Sequence, residues 1–301
     1  MAYTDDTIAN IIEKIDHKRI LLPAIQRKYV WKEFQIEKLM DSIMCGYPFG
    51  SFLFWKVKKA TINDKGYPTY EFIREFHERD RFENPRIGKF TISEDNKDDT
   101  VYTVLDGQQR LTSLYIALKG SLSMKMQKKR WTNDDAFPKK KMYFNLLSEH
   151  VDDEDITYEF KFLTAEEVKT AKEDKLWFEV GDILTYSGIE EVDNLIDNNV
   201  AFSNNPVVKN NLRRLYRVLK DDSLISYFEI DESCPLDEVL DIFVRVNSGG
   251  TVLSKTDLLF STITAQWQEA RDEIDTALKE INGATFRFKS DFITRSCLYV
   301  L

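Results

Sequence analysis

Cysteine is scarce in this 301-residue chain: Cys45, Cys234 and Cys297 stand far apart, with no CxxC pair. That scarcity excludes a disulfide framework and a thiolate zinc site, and it fits a reducing cytoplasm. Histidine is equally thin, at His17, His77 and His150, each read as a surface or loop residue rather than a metal ligand. Apolar runs of membrane-spanning length are missing, as is a signal-peptide pattern in residues 1–20. No internal repeat or low-complexity tract is visible. Basic charge is also in deficit, with 42 Lys and Arg against 51 Asp and Glu, a formal net charge of −9. An indiscriminate coat for DNA would be basic, so any nucleic-acid contact must come from a local patch. The best one is Lys125–Lys141, KMQKKRWTNDDAFPKKK, where seven basic residues face two acidic ones and Trp131 and Phe137 are interleaved. Such a segment could grip phosphates and stack a base. It could equally be a solvated loop.

What is present is a soluble, globular composition, 43% hydrophobic and 31% charged. The most informative stretch is Val101–Gly120, VYTVLDGQQRLTSLYIALKG. An alternating apolar run stops at Asp106-Gly107, and Leu111, Leu114, Tyr115 and Leu118 then follow at helical spacing. A strand entering a helix directly leaves backbone N–H groups at the positive end of the helix dipole, a natural anion site. Arg110 in the first turn opposes that dipole, a conflict a bound phosphate would resolve, and Gly107 suits a close backbone approach to a ligand. A second account needs no ligand: Asp106 is a good N-cap, and Gln109 nearly completes a capping box.

Ile8, Ile11, Ile12 and Ile15 predict an amphipathic helix capped at Thr4 or Asp5. Ile20–Ile25, interrupted by Pro23, suits an edge or irregular segment. Ile36, Leu39, Met40 and Ile43 predict a second helix, ended by Gly46. Ser51–Val57, SFLFWKV, reads as a strand buried on both faces. Residues 58–100 read as a polar insertion of limited structure, packed by Phe72, Phe76 and Phe82. Strands are expected at Lys141–Leu147 and Thr157–Leu163, helical patterns dominate from Ala165, and Leu224–Ile230 reads as one late strand. In Pro235–Phe260, Val239, Ile242, Phe243 and Val246 form one helical face, which puts Arg245 and Asn247 off it. Asn247-Ser248-Gly249-Gly250 then breaks the helix, and Ser254 with Asp257 starts another.

Three stretches, LLPAIQRKYVWKEFQIEKLMDSIMCGYPFGSFLFW, VLDGQQRLTSLYIALKG and FVRVNSGGTVLSKTDLLFS, occur in this order. Together they resemble the N-terminal domain of GmrSD-type restriction enzymes, a group of phage-defence proteins. The resemblance implies an α+β fold, with a ParB/sulfiredoxin-like core (a small mixed sheet with helices) followed by a mainly helical region. Residues 1–150 would form the nucleotide-binding domain, with an insertion at about 58–100, and residues 151–301 the helical region carrying the NSGG loop. It implies binding and Mg²⁺-dependent hydrolysis of a nucleoside triphosphate, of unspecified base, by a cytoplasmic sensor or regulatory domain. Asp106, Gly107, Gln108, Gln109 and Arg110 would form the triphosphate site. Gln26, Arg27, Tyr29 and Trp31 would border the same pocket, and Arg245, Asn247 and Gly250 would approach from the helical region.

The chemistry suits those assignments. Arg27 and Arg110 offer guanidinium forks for phosphate oxygens. Asp106 would bind Mg²⁺ or orient the attacking water, and Gln108 and Gln109 would position water or sugar hydroxyls. Many relatives continue into a His-Asn-His nuclease domain, whereas the last histidine here is His150. The expectation is that this chain holds no nuclease site, being a fragment or working with a nuclease domain or subunit on DNA that is plain or modified. The alternative reading is a DNA-binding module that uses the Lys125–Lys141 loop without nucleotide turnover.

Overall fold

The structure, a computed structural model, describes residues 3–23, 29–79, 84–92, 99–149, 156–172, 174–247 and 270–282, with residues 288, 292–293 and 296. It is an α+β fold with a mixed seven-stranded sheet. In chain order the strands are β1 (Tyr3–Asp6), β2 (Ile20–Pro23), β3 (Phe52–Lys58), β4 (Thr69–Tyr70), β5 (Glu75–His77), β6 (Arg86–Ile87), β7 (Thr100–Asp106), β8 (Ser121–Ser123), β9 (Lys141–Asn145), β10 (Phe160–Leu163), β11 (Trp177–Glu179) and β12 (Ile225–Ile230). The helices used below are α1 (Ile8–Asp16), α2 (Glu33–Cys45), α3 (Lys59–Lys65) and α4 (Gln108–Lys119). The main sheet runs β1-β12-β3-β7-β2-β4-β6, while β10-β9-β11 and β5-β8 form two smaller sheets.

Strand periodicity explains why both faces of the main sheet are apolar. On β3, Phe52 and Phe54 join one core with Val104, Tyr227 and the buried faces of α1, α2 and α4. Leu53, Trp55 and Val57 point the other way, into a second core with Leu21, Val101 and Leu105. That second core is closed by Ile62 of α3 and by Val239 and Phe243 of the helix Leu236–Asn247. The run SFLFWKV is thus a strand buried on both faces, as its composition predicts.

Helix α1 buries Ile8, Ile11, Ile12 and Ile15, but its N-cap is Thr7, whose hydroxyl accepts from Asn10 N at 3.1 Å. Thr4 and Asp5, expected as caps, lie instead in β1, paired antiparallel with β12. Helix α2 ends at Gly46, in the left-handed conformation at φ +77°. Three carboxylates one turn apart on α2 dock it against the second sheet. Glu33 pairs with Lys140 at 3.3 Å, and Glu37 accepts from Lys161 Nζ at 2.8 Å and Phe162 N at 3.1 Å. Asp41, 5% exposed, accepts from Thr157 N and Tyr158 N at 3.2 and 2.7 Å.

Several expectations are corrected. The segment with Pro23 is an interior strand: β2 pairs parallel with β7 through Ile20 and Leu21, and antiparallel with β4 through Leu22 and Pro23. Proline is tolerated because it closes the strand, where one ladder bond fewer is needed. Residues 58–100 carry α3 and three short strands, of which β4 and β6 extend the main sheet. Phe72 and Phe76 are buried as expected, and Phe82 lies outside the described residues. Helices dominate after Ala165 as expected, with the short strand β11 added beside β9. The late strand is β12, and it inserts between β1 and β3 of the main sheet. Of the helical face read at Val239, Ile242, Phe243 and Val246, Val239 and Phe243 are buried and Val246 is 47% exposed. The restart at Ser254 and Asp257 lies outside the described residues.

Candidate functional site

The Asp106–Arg110 turn is built by two strands and the helix that follows them. Strand β3 pairs antiparallel with β7, Leu53 opposite Asp106 and Phe54 opposite Val104, so β7 carries one extra residue just before the turn. Such a bulge re-aims the side chains beside it. Gly107 then takes φ +88° and is itself the N-cap of α4, with no side chain capping the helix. The expected cap at Asp106 is therefore absent, since Asp106 is still the last strand residue. Gly107 owes its identity to the backbone and to packing. A Cβ there would sit 2.2 Å from Phe52 Cδ1, and a positive φ disfavours any side chain. Close approach to a ligand is not needed to explain it.

Arg110 is engaged from three directions. Nη1 donates to Phe49 O at 2.6 Å, and Nη2 donates to Ser51 O at 3.0 Å and to Asp106 Oδ2 at 3.2 Å. The guanidinium lies 4.6 Å from the Phe52 ring centroid. Burial lowers its pKa, and the Asp106 charge works the other way. The conflict with the helix dipole is thus met inside the protein, by a carboxylate and two carbonyls, and a phosphate is not required to balance it. Gly50, at φ +92°, allows this: a Cβ there would fall 2.3 Å from Arg110 Nη1.

The neighbouring residues tie the turn to the first motif. Gln108 is buried and donates from Nε2 to Val104 O at 2.8 Å. Gln109 Oε1 accepts from Val30 N at 3.0 Å. One turn further, Ser113 Oγ lies 2.7 Å from the hydroxyl of Tyr29, which is buried against Phe76 and whose pKa is raised by burial. Trp31 is half-buried at the edge of the first core. Tyr29, Gln109 and the turn are therefore brought together. Gln26, Arg27 and Gly250 lie outside the described residues. Asn247 ends its helix, and Arg245 is exposed on the last turn of that helix, which covers the opposite face of the sheet. Sequence reasoning missed Gly50, Phe49 and Ser51, although two glycines within five residues after α2 were a visible signal.

The basic loop is less available than its composition implies. Lys139, Lys140 and Lys141 pair with Glu75, Glu33 and Glu179 at 2.6, 3.3 and 2.5 Å. Phe137 is buried under Arg79 and stacked on His77, so it presents no face to a base. Trp131 is 37% exposed and packs near Phe137 and Lys125. No three His, Cys, Asp or Glu side chains converge as a metal site among the described residues.

The sequence matches the family described as GmrSD restriction endonuclease, N-terminal domain, over residues 8–264. That span is most of the chain. The protein belongs to the GmrSD N-terminal domain family. It is thus a domain of a restriction-type, phage-defence enzyme family. No curated relative matches the chain. No helix among the described residues is long and apolar enough to cross a membrane. In this GmrSD N-terminal domain the residues Asp106–Arg110 sit at the junction of β7 and α4, latched to the loop between α2 and β3.

Proposed function

We propose that this GmrSD N-terminal domain binds a nucleoside triphosphate at the β7–α4 turn and hydrolyses it, with turnover regulating restriction of DNA by a nuclease domain or subunit. One observation carries the reading: a carboxylate with 36% of its side chain exposed, Asp106, is held by Arg110 beside a helix N-terminus that no side chain caps. Such a terminus favours phosphate, and the carboxylate beside it suits a divalent cation. In this reading Arg110 holds Asp106 and the Phe49–Ser51 loop, while Arg27 and Gln26 supply phosphate contacts.

A single carboxylate fits Mg²⁺, which keeps several waters and takes the rest of its shell from phosphate oxygens. The cation would neutralise phosphate charge at that point. Asp106 would orient it, and Gln109 would keep the Tyr29–Trp31 segment against the helix. We read the core as ParB/sulfiredoxin-like, in keeping with the mixed sheet. Calorimetry with each of the common nucleoside triphosphates and Mg²⁺, combined with phosphate release, tests the proposal. The expected result is saturable binding of at least one nucleotide and slow turnover, with turnover lost and binding weakened in Asp106→Asn. Absence of binding to every nucleotide refutes it. DNA binding indifferent to all nucleotides would replace it with a DNA module lacking turnover.

A further inference from the structure

A cavity of about 310 Å³ lies between α3 and β6, lined by Ile62, Asn63, Tyr67, Arg86, Ile87 and Lys89 with the intervening glycines and Pro68. Register places it away from the DGQQR turn. Lys58, which leads into α3, pairs with Thr100 at the start of β7, whereas Leu53 pairs with Asp106 at its end. Seven residues of strand separate the two ends, on the order of 20 Å.

The lining combines an aromatic ring, an amide and two cations. Tyr67 is half-buried, with Lys65 Nζ 5.9 Å from its centroid and Trp55 packed behind it at 6.0 Å between rings. Trp55 is 6% exposed, and its indole N–H has no hydrogen-bond partner among the described residues. Arg86 and Lys89 are exposed at the rim, and the lining includes no carboxylate among the described residues, although the chain carries a net charge of −9. Asp64, exposed on α3, is the acidic neighbour in sequence. The wall is braced: Asn63 Nδ2 donates to Phe90 O at 2.9 Å, and Phe90 N donates to Asn63 Oδ1 at 2.8 Å. Gly66 turns the chain out of α3 at φ +63°.

A tyrosine ring in the lining of a cavity whose rim carries exposed cations matches one chemical unit, a base attached to a phosphodiester backbone. We propose that this cavity takes one unpaired nucleotide of a DNA strand, its base against Tyr67 and its flanking phosphates at Arg86 and Lys89. The volume stands at the lower end of ligand pockets and suits one base rather than a duplex. The inference rests on the restriction role of the family, and it is independent of nucleotide binding at the turn.

The test is fluorescence anisotropy of the full chain with a labelled single strand and its duplex, over a range of salt. Binding of the single strand should weaken about 10-fold in Tyr67→Ala and change less than about 2-fold in Tyr67→Phe. Lys89→Glu, an exposed change harmless to folding, should weaken it and lower the slope of log affinity against log salt by about 0.7 or more. Calorimetric triphosphate binding should be unchanged in Lys89→Glu, which separates failure here from failure at the turn. The proposal is overturned if the wild type has no affinity for the strand, or if Tyr67→Ala binds like wild type. It is also overturned if a free mononucleotide displaces the strand at equal concentration.

Discussion

Replacing Arg110 by alanine separates two accounts of the DGQQR turn. If the guanidinium were there only to meet a phosphate, the ligand-free protein would lose nothing. Removing a cation from the first turn of α4 would even stabilise it by about 0.3–1 kcal/mol. The structure requires the opposite. Arg110→Ala strips donors from Phe49 O, Ser51 O and Asp106, at 2.6, 3.0 and 3.2 Å, and removes a cation from the face of Phe52. Hydrogen bonds to charged groups are worth roughly 1.5–3 kcal/mol each, and the ring contact about 1. The side chain is 21% exposed, so water replaces part of this. The dipole gain is then subtracted. A net loss of about 3 kcal/mol follows, or roughly 5 °C in Tm for a chain of this size. Asp106→Asn should cost less than about 1 kcal/mol, because that carboxylate contributes one partly exposed ion pair. Urea and thermal unfolding of ligand-free protein measure both. An Arg110→Ala variant within about 0.5 kcal/mol of wild type would refute the clamp.

Gly50→Ala should damage the same clamp, since its Cβ would fall 2.3 Å from Arg110 Nη1. In a double-mutant cycle its cost and that of Arg110→Ala should be less than additive by at least about 0.5 kcal/mol, and strict additivity would uncouple them. Gly107→Ala meets the Phe52 ring at 2.2 Å with φ at +88°, and should destabilise by about 2 kcal/mol or more in chemical denaturation; a neutral effect would remove the packing explanation. Burial opposes ionisation of Asp16, but the hydrogen bond from Tyr115 and the charges of Lys119 and Arg74 outweigh it, so its folded pKa is lowered. A depressed carboxylate stabilises at pH above its unfolded value and loses that contribution as pH falls through the folded one, below about pH 4. Tyr115→Phe should therefore flatten the acid limb of stability against pH, and an unchanged limb would contradict the assignment.

How far the sequence could be read follows from the range of the forces involved. The isoleucine face of α1, the glycine end of α2 and the two-sided strand β3 were legible because each rests on a local period or a single conformational preference. The two-residue strands β4 and β6 were not, because no periodicity exists in two residues and their pairing is supplied by neighbours. Pro23 misled for the same reason: its place beside β4 is a tertiary fact. At the turn, sequence located the DGQQR residues but left Asp106 between a helix cap and a ligand-binding role, and the cap falls to Gly107 instead. The partner that changes this account, the Phe49–Ser51 loop, lies about sixty residues away. A contact at that separation leaves no local signature, although paired glycines at 46 and 50 mark a loop with unusual backbone demands.

Two carboxylates in this domain show how structural and functional duty can be told apart at the turn. Asp41 is 5% exposed and accepts from two part-buried backbone amides, so its removal takes an acceptor from both. Asp106 is built differently: its side chain is 36% exposed, and its ion pair with Arg110, at 3.2 Å, is the longest of the three contacts that hold the guanidinium. Stability alone would be served nearly as well by asparagine there, since Phe49 O and Ser51 O keep Arg110 in place. An acid at a position where a neutral amide would hold the loop is suited to a charged ligand, which is what the turnover measurement tests. The pair of substitutions therefore divides the motif. Arg110→Ala should lower stability and activity together, whereas Asp106→Asn should abolish triphosphate turnover with unfolding nearly unchanged. If both variants track stability alone, the motif is an architectural latch and the nucleotide reading fails.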